Sequence, residues 1–452
     1  MFSVFCGRGL MAVRQLLLVP VLISAWGVNY YGHWLVLSAI PTFLAMSNMG
    51  FGTSAVLSIG LDVAAGRVAE AWNTLTTALW IILGIAVTVL AIAFAWMHFS
   101  AGAQTVSDGI ASPALVVTLL LATLFVRMLA QPLMGWWTGI GKPATPYHYS
   151  NLAAVGELIL CIAVPVSGGN ALVLASFLLQ WNVIWLALFG FATYQLLDPL
   201  PAHRRSPQIN LSTARQLLTT GLGHQLGPLW QAVLFQGSLF LANALLGPAG
   251  AVLWASLRIV TRYGNQLLEL IGQSLSPEFQ LAYAEGNTNR LRQLHAVGLV
   301  GSSILSTAVS LGLIAVGPSL FRIWTRHAFV VPLGAWWIMS LSIIPCALWW
   351  ISGEYQRSIN QPWRLNMCAL FASLVSVACM GAGGKYGIIA FAFGSLLFDV
   401  SMVALVLPIT LKLLDDTILA ALARGLHLML ARVPSLALFR KRSPPHYTSS
   451  PL

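Results

Sequence analysis

Apolar stretches of about 20 residues, the length of helix that crosses roughly 30 Å of hydrocarbon, recur along almost the whole chain. They fall at 10–26, 32–57, 73–97, 113–133, 147–166, 171–197, 216–246, 249–275, 295–316, 330–353, 363–381 and 387–407. No connection between them is long enough to fold alone, so the pattern predicts an all-α integral membrane protein of twelve transmembrane helices. One stretch breaks the rule. Within 249–275, Arg258, Arg262, Asn265 and Glu269 are spaced four, three and four residues apart, which places them within about 60° on one helix face. Arginine facing lipid at a helix centre costs about 2.5–3.5 kcal/mol. The stripe is therefore expected to face other helices or a wet cavity.

Composition changes the picture only in degree. Hydrophobic residues are 58% and charged residues 8% of 452, which excludes a soluble globular chain. The net charge of +11 invites a nucleic-acid reading, but its placement argues otherwise. With a cytoplasmic N-terminus, most of the 23 Lys and Arg fall in cytoplasmic segments, among them Arg8, Arg14, Arg67, Lys142, Arg204, Arg205, Arg290, Arg357 and the Arg440-Lys441-Arg442 cluster. Arg322, Arg326 and Lys385 fall outside, and Arg127, Arg258 and Arg262 lie within spans. That asymmetry follows the positive-inside rule, puts both termini in the cytoplasm and leaves nucleic acid unneeded. A cleaved signal peptide is the alternative for the first span; the second span follows it too closely, and its removal would upset the even count. The five cysteines show no spacing suited to a metal or a disulfide framework.

The chain also repeats. Gly32–Ser38 is echoed by Gly250–Ser256, Ala64-Ala65-Gly66-Arg67 by Ala284-Glu285-Gly286-Asn287, and Ile140-Gly141-Lys142-Pro143 by Ile359-Asn360-Gln361-Pro362, each 218 to 220 residues later. We read two six-helix lobes, 1–198 and 216–407, joined by a Pro- and Arg-containing linker at 199–215. A segment at 408–452 follows, with an amphipathic helix and a basic, disordered tail. Six spans per lobe give a parallel repeat, with the substrate site expected between lobes. Shifting the polar stripe back by 218 lands on Ile40, Leu44, Ser47 and Phe51, so charge is expected in the second lobe only. Two readings of the stripe stand: a cationic cavity wall, or an ion pair of Arg262 with Glu269 that fixes packing.

The tract Leu275-Ser276-Pro277-Glu278 through Gly286, followed by Asn289-Arg290-Leu291-Arg292, resembles the cytoplasmic loop after the eighth span of polysaccharide flippases. Asn48-Met49-Gly50-Phe51-Gly52 with Ala64–Arg67, and Tyr30-Tyr31-Gly32 before the second span, are similar too. These are features of Wzx-type O-antigen and exopolysaccharide flippases, within the multidrug/oligosaccharidyl-lipid/polysaccharide (MOP, MATE-like) exporter superfamily. The resemblance covers about residues 8–410. It departs at Asn48, where the family often has an acid. It implies a V-shaped, two-lobed bundle that alternates its access. The implied cargo is an undecaprenyl-pyrophosphate type of lipid-linked oligosaccharide, moved from the cytoplasmic to the periplasmic leaflet of the bacterial inner membrane. It also implies arginines at the lipid phosphate, which points to Arg258 and Arg262 with Arg14 as a further contributor. Membrane lipids and other polysaccharide-assembly membrane proteins are the expected partners. A cation-coupled multidrug exporter of the same superfamily is the alternative.

Guanidinium suits such a head because it is always charged and binds phosphate bidentately. Glu157 and Asp399 lie near mid-membrane and are candidates for ion coupling; the alternative is pairing with Arg127, Arg258 or Arg262. Gln225, Gln236 and Asn243 share a face of the seventh span, as inter-helix hydrogen-bonders or as partners for sugar hydroxyls, with a kink expected at Gly227-Pro228. The tryptophan pairs 136–137, 336–337 and 349–350 suit interfacial anchoring. Beyond 407, Asp416 is expected to cap a helix whose Ile418, Leu419, Leu422, Leu426 and Met429 lie on the membrane surface. No nucleophile–base pair, phosphate-cradling loop or metal cluster is legible, so the expectation is a transporter with no cofactor and no enzyme chemistry.

Overall fold

The computed structural model describes residues 2–47, 49–99, 110, 112–197 and 226–432. Gln225 and the 199–215 linker lie outside the described residues, as does the side chain of Arg262. The chain forms α1 (Phe2–Ser47), α2 (Met49–Ala64), α3 (Val68–Phe99), α4 (Pro113–Gly139), α5 (Ala144–Val166) and α6 (Ala171–Leu197). These are followed by α7 (Leu226–Ala284), which carries a π-helical turn at Val233–Gly237. The remainder is α8 (Thr288–Trp324), α9 (Leu333–Ser358), α10 (Pro362–Ala382), α11 (Ile388–Leu413) and α12 (Ile418–Arg432).

Among the described residues, ten helices are long and apolar enough to cross a membrane. Two of them, α1 and α7, reverse direction at a single residue, which gives room for twelve passes. Gly27 has φ 75° and ψ 165°, and Gly247 has φ 74° and ψ −179°, a conformation that only glycine adopts without strain. The reversal follows from neighbours. The first arm of α1 (2–26) runs alongside α5, with Arg14 at Glu157 and Trp26 at Gly169. The continuation through α2 instead runs with α4, where Gly52 meets Gln131 and Gly139 meets Val63. Because α4 and α5 are antiparallel, the two arms of α1 are antiparallel too. In α7, the arm 226–246 follows α10 (Gly227 at Asn366, Leu241 at Gly381), and the arm 248–284 follows α9 (Gly264 at Ile343, Gly272 at Trp350). The expected loop at 27–31 is thus one residue.

The internal repeat reappears in the backbone. Left-handed residues recur as Gly27 and Gly247, Gly66 and Gly286, Gly141 and Asn360, Gly168 and Gly387. The turn hydrogen bonds Gly66 N to Val63 O and Arg67 N to Asp62 O have counterparts in Gly286 N to Tyr283 O and Asn287 N to Ala282 O. Likewise, Lys142 N to Trp137 O corresponds to Gln361 N to Gln356 O. Packing is paired in the same way: α4 against α6 and α2, as α9 against α11 and α7.

The halves meet chiefly through α1 and α7. Val19, Leu22, Tyr31, Trp34 and Leu174 cluster with Val252, and Ala39 packs with Leu239, Ala242 and Trp254. Near the end that carries the two glycine reversals, Trp324 Nε1 donates to Leu16 O (2.7 Å) and Arg326 Nη1 to Ser24 Oγ (2.8 Å). Midway down, Tyr263 Oη donates to Ala12 O (2.7 Å).

One expectation fails here. Trp136, Trp336 and Trp349 are buried in the bundle core, and of these pairs only Trp337 is largely exposed; the rings fill helix–helix gaps. The last helix, α12, does not present its leucines to the protein. It docks on α8 through its small side, with Gly425 against Ala296 and Met429 at Gly301, while Leu419, Leu426 and Leu430 face outward.

Candidate functional site

Within the charged stripe on α7, Arg258 and Glu269 have different surroundings. Arg258 Nη1 donates to Phe235 O (2.5 Å) and Ser238 Oγ (3.0 Å), and its guanidinium stacks 5.6 Å from the rings of Phe235 and Trp254. A π-turn inserts a residue and disturbs the ordinary carbonyl pairing, and Arg258 serves the carbonyl at that turn. Trp254 Nε1 donates to the same Ser238 hydroxyl. Gln236 lies within the π-turn, which alters its register relative to Asn243. Asn265 and Asn243 each keep a buried side-chain oxygen without a hydrogen-bond partner.

Glu269 sits apart from Arg258. It lines a groove of about 1040 Å³ between the first arm of α1, the second arm of α7 and α8, together with Gln15, Tyr263, Gln266, Gln273 and Trp324. Arg258 is not among the residues that line it. The groove face of α7 is displaced around the helix from the charged stripe, and Glu269 lies at the border between the two.

The first half gathers charge from three helices, with an amide from a fourth. The carboxylate of Glu157 on α5 is 5% exposed and lies 3.2 Å from Arg14 Nη1 of α1 and 3.4 Å from Arg127 Nη1 of α4. Asn182 Nδ2 of α6 donates to it at 2.9 Å. The arginine side chains are 38% and 40% exposed. Two guanidiniums against one carboxylate leave one positive charge in excess, and the acid holds both cations in place. The α7 stripe has no charged counterpart in the sequence at Ile40, Leu44, Ser47 and Phe51; the first half instead gathers its charge from separate helices, which the periodicity of one helix does not show. Arg14, counted as a flanking residue, belongs to the bundle.

Asp399 on α11 also departs from a one-to-one matching of acids with arginines. It is buried, and it accepts from Trp349 Nε1 at 2.9 Å. Among the described side chains, no cation pairs with it.

No protein-family model matches the chain, and no curated protein matches it. Among solved structures it is similar to a multidrug resistance MATE family transporter of the MOP superfamily in its inward-facing conformation. The TM-score is 0.69 at 15% identity, over 89% of this chain and 98% of the other. An outward-facing conformation of such a transporter gives 0.57 at 15% identity, over 89% and 95%. A MOP superfamily transporter from Pyrococcus furiosus, described as having a binding pocket of reverse polarity that suggests a different function, gives 0.56 at 16% identity, over 92% and 95%. At these identities the likeness defines the fold. The chain is a multi-pass membrane protein with the all-helical fold of MOP superfamily transporters.

Proposed function

We propose that this protein is a flippase that carries a polyprenyl-(pyro)phosphate-linked oligosaccharide from the cytoplasmic to the periplasmic leaflet of a bacterial inner membrane, by alternating access, for polysaccharide biosynthesis. The observation that carries the reading is the Arg14–Glu157–Arg127 cluster. Excess positive charge is costly inside a membrane unless an anion meets it, and two guanidiniums fixed on a shared carboxylate present spare donors in the geometry that a phosphate accepts. In this reading Arg262, Asn265, Gln225 and Gln236 contribute to binding the cargo, Arg258 shapes the wall of the passage, and both termini are cytoplasmic. Other polysaccharide-assembly membrane proteins are its partners. The better score against an inward-facing relative supports a state closed at the end with the glycine reversals.

The test is a double substitution, Arg14→Gln with Arg127→Gln, followed by assay of lipid-linked oligosaccharide on each leaflet. We expect precursor to accumulate on the cytoplasmic side. Normal translocation by a correctly inserted variant ends the proposal. A second reading, export of lipophilic cations, is favoured by one observation: the groove on α7 holds the Glu269 carboxylate beside Tyr263, Phe321 and Trp324. Efflux of such a cation that depends on Glu269 and not on Arg14 would decide for it.

A further inference from the structure

The groove between α1, α7 and α8 is built unlike an ordinary helix–helix crevice. Its rim is apolar and exposed, with Met11, Leu270, Leu320 and Ile323 each more than half exposed. Along its floor, Tyr263, Gln266, Glu269 and Gln273 follow one another at spacings of three, three and four residues on one side of α7. Amides and a carboxylate that line a groove with an exposed apolar rim are expensive in hydrocarbon. From the facing helix, Gln15 adds a side-chain oxygen that is buried and has no hydrogen-bond partner. Such an acceptor costs stability unless a ligand or water satisfies it.

We infer that this groove is a carbohydrate subsite, in which hydroxyl groups of the cargo's first sugars are held by Gln15, Gln266, Glu269 and Gln273. Tyr263 and Trp324 flank them. The inference rests on the flippase reading and adds to it which part of the cargo is recognised where. The chemistry selects hydroxyls over phosphate. Amide and carboxylate oxygens accept from O–H groups, and amide N–H groups donate back, whereas Glu269 repels an anion. The position suits a sugar joined to a phosphate, because Gln15 directly follows Arg14, whose guanidinium stands at Glu157. The lipid chain keeps to the leucine rim, and no apolar tail needs to enter the bundle.

The test compares two probes on the purified full-length protein in nanodiscs: undecaprenyl phosphate, and undecaprenyl phosphate carrying one hexose. A Gln266→Leu/Gln273→Leu variant removes hydrogen-bonding groups that each contribute modestly, and should weaken binding of the hexose-bearing lipid roughly tenfold or more. Binding of the sugar-free lipid should be unchanged. Leu320→Trp narrows the groove from its rim without touching the polar stripe, and should show the same selectivity. Equal weakening for both lipids, or none for either, overturns the subsite while leaving the flippase reading intact. Wild-type protein that binds neither lipid overturns both. Binding of tetraphenylphosphonium that is lost in Glu269→Gln, with no hexose preference, assigns the groove to cations and overturns the subsite.

Discussion

Trp324 ties the two halves together at one end by a bond that a proline makes available. In a regular helix the carbonyl of residue 16 would accept from the N–H of residue 20. Residue 20 is Pro20, which has no N–H. The orphaned Leu16 oxygen is taken by the indole of Trp324, from the other half of the protein, at 2.7 Å. Trp324→Phe keeps an aromatic ring but removes a bond between the halves to a partly exposed carbonyl, at a cost of about 0.5–1.5 kcal/mol. Because the bond exists only while the halves meet here, its loss should shift the equilibrium toward an open state by roughly 2- to 12-fold. Arg326 on Ser24 and Tyr263 on Ala12 remain as partial restraints, which favours the lower part of that range. The assay is electron–electron double resonance in nanodiscs. Spin labels at Val166→Cys and Val330→Cys, both highly exposed positions at this end, are placed in a background without native cysteines. The longer-distance population should grow in Trp324→Phe. Pro20→Ala supplies the missing N–H, so in that background the same substitution should have much less effect, a coupling that a double-mutant cycle isolates. An equal shift in both backgrounds, or none in either, refutes the reasoning.

Glu157→Gln leaves two arginines repelling each other around a neutral amide. Because both are partly exposed, we expect a loss of about 1–3 kcal/mol rather than the full cost of breaking a buried pair. It is read as a fall in Tm in detergent that Arg127→Gln partly restores. Asp399, buried without a cationic partner among the described side chains, is the acid whose replacement by Asn should abolish the response of transport to a collapsed proton gradient; an unaltered response excludes it. Gly425→Val should undock α12, since a side chain there runs into the Ala296 carbonyl and Val300; faster amide exchange across 418–432 is the readout. The same docking should weaken in acid. Burial raises the Asp416 pKa, but the opposing Arg424 and the Thr417 N–H outweigh it and hold the group below its ordinary 3.8. Its contribution is therefore complete above that value and is lost as pH falls through the lower folded-state value. Exchange at 418–432 that rises toward alkaline pH faster than the intrinsic rate would contradict this.

The twelve passes, the repeat and its turn positions were legible because each is written locally, as run length or as a glycine at fixed spacing. The convergence of Arg14, Arg127 and Glu157 was not, because nothing in one helix's periodicity says which neighbour it meets. The stripe on α7 misled for a related reason. Charge drew the eye to Arg258, while the groove face runs through Tyr263, Gln266 and Gln273, whose spacing of three and seven was available but neutral. The π-turn at 233–237 has no signature in its residues, Val-Leu-Phe-Gln-Gly, and it alone decides where Arg258 is needed.

That turn also carries a length dependence. The surplus residue in 233–237 sits where a cation from the neighbouring arm takes up the carbonyl it disturbs. Excising one codon there would restore regular winding, rotate everything before it by about 100° and set the guanidinium loose. A change of chain length by one unit, with no alteration of side-chain chemistry, would therefore hand the passage a new mobile cation.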